Sequence, residues 1–276
     1  MNQEERLDCL VHAFIKENPD SAPASVPTSE AEKRALLSAL MYGRKPLPLS
    51  QELLDVQNEY LSGICNEKGI VQPSDIPRIA EIGSVHPFGS RIAIWQGDIT
   101  RLACDAIVNA ADPSMPGCSA PGHACVDHAI HTCAGVQLRL ACFEQMERLK
   151  AEHGRDYRQP VGVPLITPAY NLPSMTVIHV AGPLVSGEVG TKEETELTLC
   201  YSNALDLCRE RCLRTIAFPC IAAGQGRFPA RRAAEIAVKT VTDWIRENRE
   251  DIDLVIFDVF TDADRTHYED LLFDVS

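Results

Sequence analysis

The sequence predicts an α/β fold with helices on both faces of a largely parallel or mixed sheet, and two patterns carry that expectation. Five short runs, residues 91–95 (RIAIW), 105–110 (DAIVNA), 176–181 (TVIHVA), 215–220 (TIAFPC) and 254–260 (LVIFDVF), read as strands, several of them apolar on both faces as buried sheet interiors are. Between them apolar residues recur at helical spacing, and strand–helix alternation of this kind gives a sheet covered by helices. At 276 residues and 45% hydrophobic, the chain can bury such a core as one large domain or as a domain with an appendage.

In chain order, Leu7, Leu10, Val11 and Phe14 form a helical stripe that Asn18-Pro19 ends, and residues 20–28 (DSAPASVPT) read as a loop. Ser29 and Glu32 have the spacing of a capping box and open a second helix, which turns Leu36, Leu37 and Leu40 inward. After residues 43–50 (GRKPLPLS) a third stripe runs through Leu53, Leu54, Val56, Tyr60 and Leu61. Residues 1–80 therefore read as a helical N-terminal extension with little chemistry of its own, and residues 81–276 as the α/β unit. Within that unit, helices are expected over about 126–150, over 194–213 (Leu197, Cys200, Tyr201, Ala204, Leu205) and over 230–248 (Ala233, Ile236, Ala237, Val241, Trp244).

Composition excludes several function classes. A net charge of −13 argues against a surface for duplex nucleic acid, which needs clustered Lys and Arg. The eleven cysteines are odd in number, and several (Cys200, Cys208, Cys212, Cys220) fall in apolar or helical patterns, so reduced, buried thiols are expected rather than a disulfide framework. The first twenty residues are acidic and amphipathic, and no apolar run is long enough to cross a bilayer. These features give the expectation of a soluble, cytoplasmic protein with no membrane contact.

Open α/β sheets collect ligands at the loops beyond the carboxyl ends of their strands. Four such loops stand out: residues 95–100 (WQGDIT), 108–131 (VNAADPSMPGCSAPGHACVDHAIH), 180–183 (VAGP) and 220–229 (CIAAGQGRFP). The last is a Gly-rich turn opening a helix, which can present backbone N–H groups and a helix dipole to a phosphate, or can be merely a tight connection. The second holds Cys118, His123 and Cys125 in one stretch. Thiolates plus imidazole suit zinc, and three ligands leave a position open, as in sites that act on substrate. Cys104 or Cys133 completing a closed structural site, or buried thiols without metal, are the alternatives. Asp98 can accept from a ligand amine or simply cap its own turn, and Asp127 can cap the helix that follows. His128 is expected to be solvated or to sit behind the site, and His131 to pack the loop.

Taken in order, GDIT, VNAAD, the Cys/His loop leading to CVDHAIH, a strand ending in AGP and a strand followed by GQGRFP resemble the macrodomain family of ADP-ribose binders and hydrolases. The Cys-x4-His-x-Cys segment resembles its zinc-dependent branch, and residues 36–61 look like the helical N-terminal extension of those proteins, so the resemblance spans nearly the whole chain. It implies a three-layer α/β/α macrodomain with a mixed central sheet. It also implies a zinc-dependent hydrolase that removes mono-ADP-ribose from modified protein side chains, with a non-catalytic ADP-ribose reader or an O-acyl-ADP-ribose deacylase as alternatives. Residue by residue it assigns Asp98 and Ile99 to adenine; Ala222, Ala223, Gly224, Gln225, Gly226, Arg227 and Phe228 to the diphosphate; Cys118, His123 and Cys125 to zinc beside the distal ribose; and Asn109, Asp112 and Asp127 to catalysis, Asp112 also to ligand binding. Two departures stand out. Asp112 replaces the family's usual Asn with a group that only accepts hydrogen bonds, and Ala222-Ala223 replace a Ser-Thr pair.

Overall fold

A computed structural model describes all residues except 20–22, 24, 119–124, 225 and 274–276. The chain opens with three helices: α1 (Gln3–Glu17), α2 (Glu30–Gly43) and α3 (Gln51–Lys68). Each begins where a side-chain oxygen accepts from the third residue on: Asn2 from the Glu5 N–H, Ser29 from Glu32 and Ser50 from Leu53. Their apolar stripes close on one another, with Leu7, Leu10, Val11, Phe14, Leu37, Leu40, Met41, Tyr60 and Leu61 buried in one cluster that Val136 also joins.

The remaining chain builds a six-stranded sheet in the order β1-β6-β5-β2-β4-β3. These are β1 (Ile92–Gln96), β2 (Ala106–Ala111), β3 (Leu165–Pro168), β4 (Thr176–Ala181), β5 (Thr215–Phe218) and β6 (Leu254–Val259). All neighbouring pairs are parallel except β3 with β4, which makes the sheet mixed. Connecting the strands are α4 (Val126–Ala134), α5 (Val136–His153), α6 (Thr191–Glu210) and α7 (Ala230–Glu247), and α8 (Asp262–Phe273) closes the described chain.

Alternation along the central strands decides the layers. Val255, Phe257 and Val259 face one way and pack with Leu197, Tyr201, Ala237, Val241 and Tyr268 from α6, α7 and α8. Leu254 and Ile256 face the other way and pack with Ile130 and Ala134 of α4 and Leu138 of α5. The three-layer α/β/α arrangement expected from the sequence is therefore present, with α1–α3 packed outside α4 and α5.

Three local differences from the sequence reading have simple causes. The single helix expected over 126–150 is two, because Gly135 at φ +95° breaks the helix in a conformation that a Cβ would strain. Strand β3 is a four-residue antiparallel edge strand ending in proline, too short to show a period. Helix α8 has a weak apolar stripe, burying only Tyr268 and Leu272, and so gives little helical signal.

Candidate functional site

Because β1, β6, β5, β2 and β4 are parallel, their carboxyl ends share one edge. That edge receives the Asp98 turn after β1, Asp112, Cys118 and Cys125 after β2, the described residues of the 220–229 loop after β5 and Phe260 after β6.

Asp98 caps a single helical turn. Its Oδ1 accepts from the Thr100 N–H at 3.0 Å and the Thr100 hydroxyl at 2.6 Å, while Oδ2 accepts from Lys68 Nζ of α3 at 2.9 Å. Burial opposes its charge, but the Thr100 and Lys68 donors outweigh burial and hold the carboxyl below its usual range. Ile99 is buried beside it. Asp258, opposite Trp95 in the sheet register, is buried and held protonated to well above the usual range by burial and by the Asp98 charge. Phe260, just beyond it, is 80% exposed, and its carbonyl accepts from the Gln96 amide at 3.4 Å.

On β2, Asn109 lies in register with His179 of β4, and both are fully buried. The Asn109 amide donates to Asp127 Oδ1 at 2.6 Å and lies 3.1 Å from His179 Nδ1. Since an amide nitrogen can only donate, His179 must accept at Nδ1 and carry its proton on Nε2, which lies 2.9 Å from Thr167 Oγ1 and 3.7 Å from Cys142 Sγ. Burial holds His179 neutral, its pKa pushed down to about 3. Asp127 is pushed up to about 6 by burial, against the Asn109 amide and the Cys118 backbone N–H, which favour its charged form. His131 Nε2 sits 3.4 Å from Asp127 Oδ1, and neither His131 ring nitrogen makes a hydrogen bond among the described residues. The Asn109 side-chain oxygen is likewise buried without a described partner. Orphaned polar atoms are rare in interiors, so their concentration at this edge marks it as a place for chemistry.

The sequence left Asp127 either to cap α4 or to serve catalysis; the cap of α4 is Cys125, whose thiol accepts from the His128 N–H at 3.4 Å, while Asp127 accepts from the Asn109 amide in the polar cluster. His131 is buried as expected, whereas His128 is held against α2 by Ser38 Oγ at 3.0 Å and by the Tyr42 ring at 4.5 Å. Of the two cysteines considered as a fourth ligand, Cys133 lies 3.7 Å from Lys68 Nζ, toward the Asp98 turn, and Cys104 is buried in the apolar cluster with Leu102 and Ile107.

The Cys118 and Cys125 thiols meet. Burial first, then the Cys118 thiol beside it, pushes Cys125 up to about 11. The Tyr42 phenol of α2 also faces Cys118, and its pKa is raised by burial and that contact. Two adjacent, desolvated thiols suit a soft divalent metal that would bind them as thiolates. The third predicted ligand, His123, lies outside the described residues. Among the described residues, a second set able to hold a metal is His131, Cys142 and His179, whose ligand atoms all lie within 4.8 Å of one another. Both His179 nitrogens there are already engaged, with Asn109 and Thr167.

Asp112 is only half-buried. Its Oδ1 accepts from the Ser114 N–H at 2.8 Å, closing its own turn, and lies 3.5 Å from Arg158. In the Gly-rich loop, Ala222 and Arg227 both adopt positive φ, +63° and +54°. A Cβ at Gly226 would come within 2.6 Å of the Ala222 carbonyl, so only glycine fits. Phe228 N–H donates to the Ala222 carbonyl and Arg227 N–H to that of Gly224, each at 3.1 Å, and Phe228 is buried as the loop's anchor. Ala223 N–H donates to the Cys220 carbonyl at 3.4 Å. Gln225 lies outside the described residues. Beyond the loop, α7 starts after Pro229, and among the described residues no side chain caps its first N–H groups, which suits an anion there.

Sheet and loops together place the candidate site at the strand edge where open α/β folds collect their ligands. The Macro domain family model matches residues 108–237. A protein named protein-ADP-ribose hydrolase from Treponema medium is 40% identical over 272 residues, 99% of this chain and 100% of the relative. One of the same name from Staphylococcus aureus strain MRSA252 is 38% identical over 266 residues, 96% and 94% of the two chains. Among solved structures, an Oceanobacillus iheyensis macrodomain variant with ADPR is 33% identical at a TM-score of 0.59, covering 67% of this chain and 94% of that one. The chain belongs to the Macro domain family.

Proposed function

We propose that this protein hydrolyses the bond between mono-ADP-ribose and a modified protein side chain. One observation carries the reading: the adenine-type carboxylate Asp98, the buried Asn109–Asp127 pair, the paired Cys118 and Cys125 thiols and the open N-terminus of α7 all meet at one sheet edge. Relatives named for this activity match along nearly the whole chain.

In this reading Asp98 accepts from the exocyclic amine of adenine and the Ile99 N–H donates to a ring nitrogen, a paired contact that selects the base. Phe260 offers its exposed ring to the base. The diphosphate lies over residues 222–228 at the start of α7. Asp127, raised toward neutrality and fixed by Asn109, is placed to exchange a proton with water or leaving group near the distal ribose. Water supplies the hydroxyl at the anomeric carbon and a proton to the released side chain, so the products are free ADP-ribose and the unmodified residue. Zinc would be held by Cys118, His123 and Cys125, where its chemistry is Lewis-acid polarisation of an oxygen at the distal ribose. The two thiols fit that ion. The proposed division at about residue 80 makes α1–α3 an extension of the macrodomain.

The test is direct. Purified protein is incubated with mono-ADP-ribosylated protein and, separately, with an O-acylated ADP-ribose, and released ADP-ribose is measured by chromatography and mass. Release from the modified protein supports the proposal; tight ADP-ribose binding without turnover leaves a reader, and release from the acyl compound alone leaves a deacylase. Elemental analysis reporting close to one zinc per chain supports the metal.

A further inference from the structure

The helical extension supplies a side chain to the Asp98 turn. Lys68, the last residue of α3, donates from Nζ to Asp98 Oδ2 at 2.9 Å. The segment that follows is laced to the same turn: Arg101 Nε donates to the Gly69 carbonyl at 2.8 Å, the Val71 N–H to the Arg101 carbonyl at 2.9 Å and the Ala103 N–H to the Val71 carbonyl at 3.0 Å. Gly69 turns the chain at φ +80° so that Val71 can bridge to Leu102. Residues 68–71 and 98–103 thus form one hydrogen-bonded unit.

We propose that Lys68 is a positioning residue for base recognition, holding the Asp98 carboxylate in the orientation that accepts the exocyclic amine of an adenine nucleotide. This inference rests on the reading that the Asp98 turn receives adenine. Thr100 fills Oδ1 with two bonds, so Oδ2 is the oxygen with acceptor capacity left, and Lys68 takes only part of it. An oxygen already fixed loses little freedom when the ligand arrives. Lys68 also supplies the countercharge. The other ionisable groups that face Asp98 are Cys65 of α3, Cys133 of α4 and Asp258 of β6, and none of them is a cation.

The experiment measures ADP-ribose affinity by calorimetry for the full-length chain and its Lys68→Met, Lys68→Arg, Asp98→Ala and doubly substituted (Lys68→Met, Asp98→Ala) forms. Lys68→Met is expected to raise Kd about 5- to 20-fold, the low end for one charge-assisted hydrogen bond because the pair is half-exposed and acts through Asp98, and Lys68→Arg to stay within about threefold of the parent. The double variant should bind no more weakly than Asp98→Ala alone, because Lys68 acts only through that carboxylate. In turnover, KM should rise while kcat holds. The pH profile provides a readout that a merely structural role would not move. Without Lys68 the Asp98 carboxyl titrates higher, so the acid loss of affinity shifts to higher pH in Lys68→Met. If Asp98→Ala weakens binding and Lys68→Met leaves both Kd and the pH profile unchanged, the inference is overturned. If Asp98→Ala itself binds normally, the adenine reading beneath it falls instead.

Discussion

Replacing His179 by leucine tests the buried network that holds Asn109. The substitution removes the imidazole contacts to Asn109 and to the Thr167 hydroxyl, in a place with no access to water. Asn109 keeps its bond to Asp127, so the Thr167 hydroxyl is the group newly orphaned. Two lost hydrogen bonds at about 1 kcal/mol each, plus about 1–2 kcal/mol for a buried orphan, give a loss of roughly 3–4 kcal/mol. At about 2–4 °C per kcal/mol for a chain of this length, the melting midpoint should fall by roughly 6–16 °C. Thermal unfolding followed by circular dichroism reads the change. A second substitution, Thr167→Val, removes the orphan and should recover about 1 kcal/mol in the His179→Leu background while destabilising the parent. Turnover measured well below the midpoint should also fall, because Asn109 loses one of its two anchors. A His179→Leu midpoint within a degree or two of the parent would refute the tautomer and hydrogen-bond assignment together.

Three further outcomes follow from the same geometry. His131 and His179 are both pushed down to about 3 by burial, so the unfolded chain takes up protons that the fold does not; stability should be fully present above pH 6.5 and decline as pH falls toward 3, partly offset by Asp127, whose raised pKa acts in the opposite sense between about 6 and 4. Urea midpoints measured across that range check the sign. Asp112→Asn should leave ADP-ribose binding within about threefold, since Asp112 braces its own turn and is only half-buried; a large loss of turnover with binding intact would instead make it a base. Cys118→Ala and Cys125→Ala should each lower bound zinc, measured by elemental analysis, while far-ultraviolet circular dichroism stays close to the parent; zinc retained in both would move the site to His131, Cys142 and His179.

The sheet was legible because its parallel strands are buried on both faces and read as continuous apolar runs, LVIFDVF above all. The short edge strand Leu165–Pro168 carries no such signal. Asp98 and Asp127 were legible as polar residues at strand and helix ends, but their partners were not. Lys68 lies thirty residues from Asp98 and ends a helix of the extension, which reads as having little chemistry of its own. The structure also places Tyr42 and Ser38 of α2 against Cys118 and His128, contacts that no local spacing encodes. His179 did carry a signal: a histidine inside TVIHVA and an asparagine inside DAIVNA, each set among apolar neighbours, are candidates to meet, and parallel register brings them side by side.

If the chain binds a diphosphate as proposed, it must avoid repelling it, and the charges at the proposed site edge are arranged to that end. Of the carboxylates there, Asp98 is paired with Lys68, Asp112 faces Arg158, Asp127 feels Arg139, and burial raises Asp258 well above the usual carboxylate range. These partners offset part of the acidic charge of the chain at the site, and charge on more distant surfaces is screened over about 8–10 Å at physiological salt. What the ligand meets is a locally balanced edge together with the oriented N–H groups at the start of α7. Attraction of this kind acts at contact rather than at a distance. Affinity for ADP-ribose should accordingly change little between low and physiological salt, whereas removing Lys68 would leave Asp98 uncompensated and make the same binding salt-sensitive. Titrations at two ionic strengths separate these outcomes, and a steep salt dependence in the parent would show that long-range charge, rather than the paired edge, brings the ligand in.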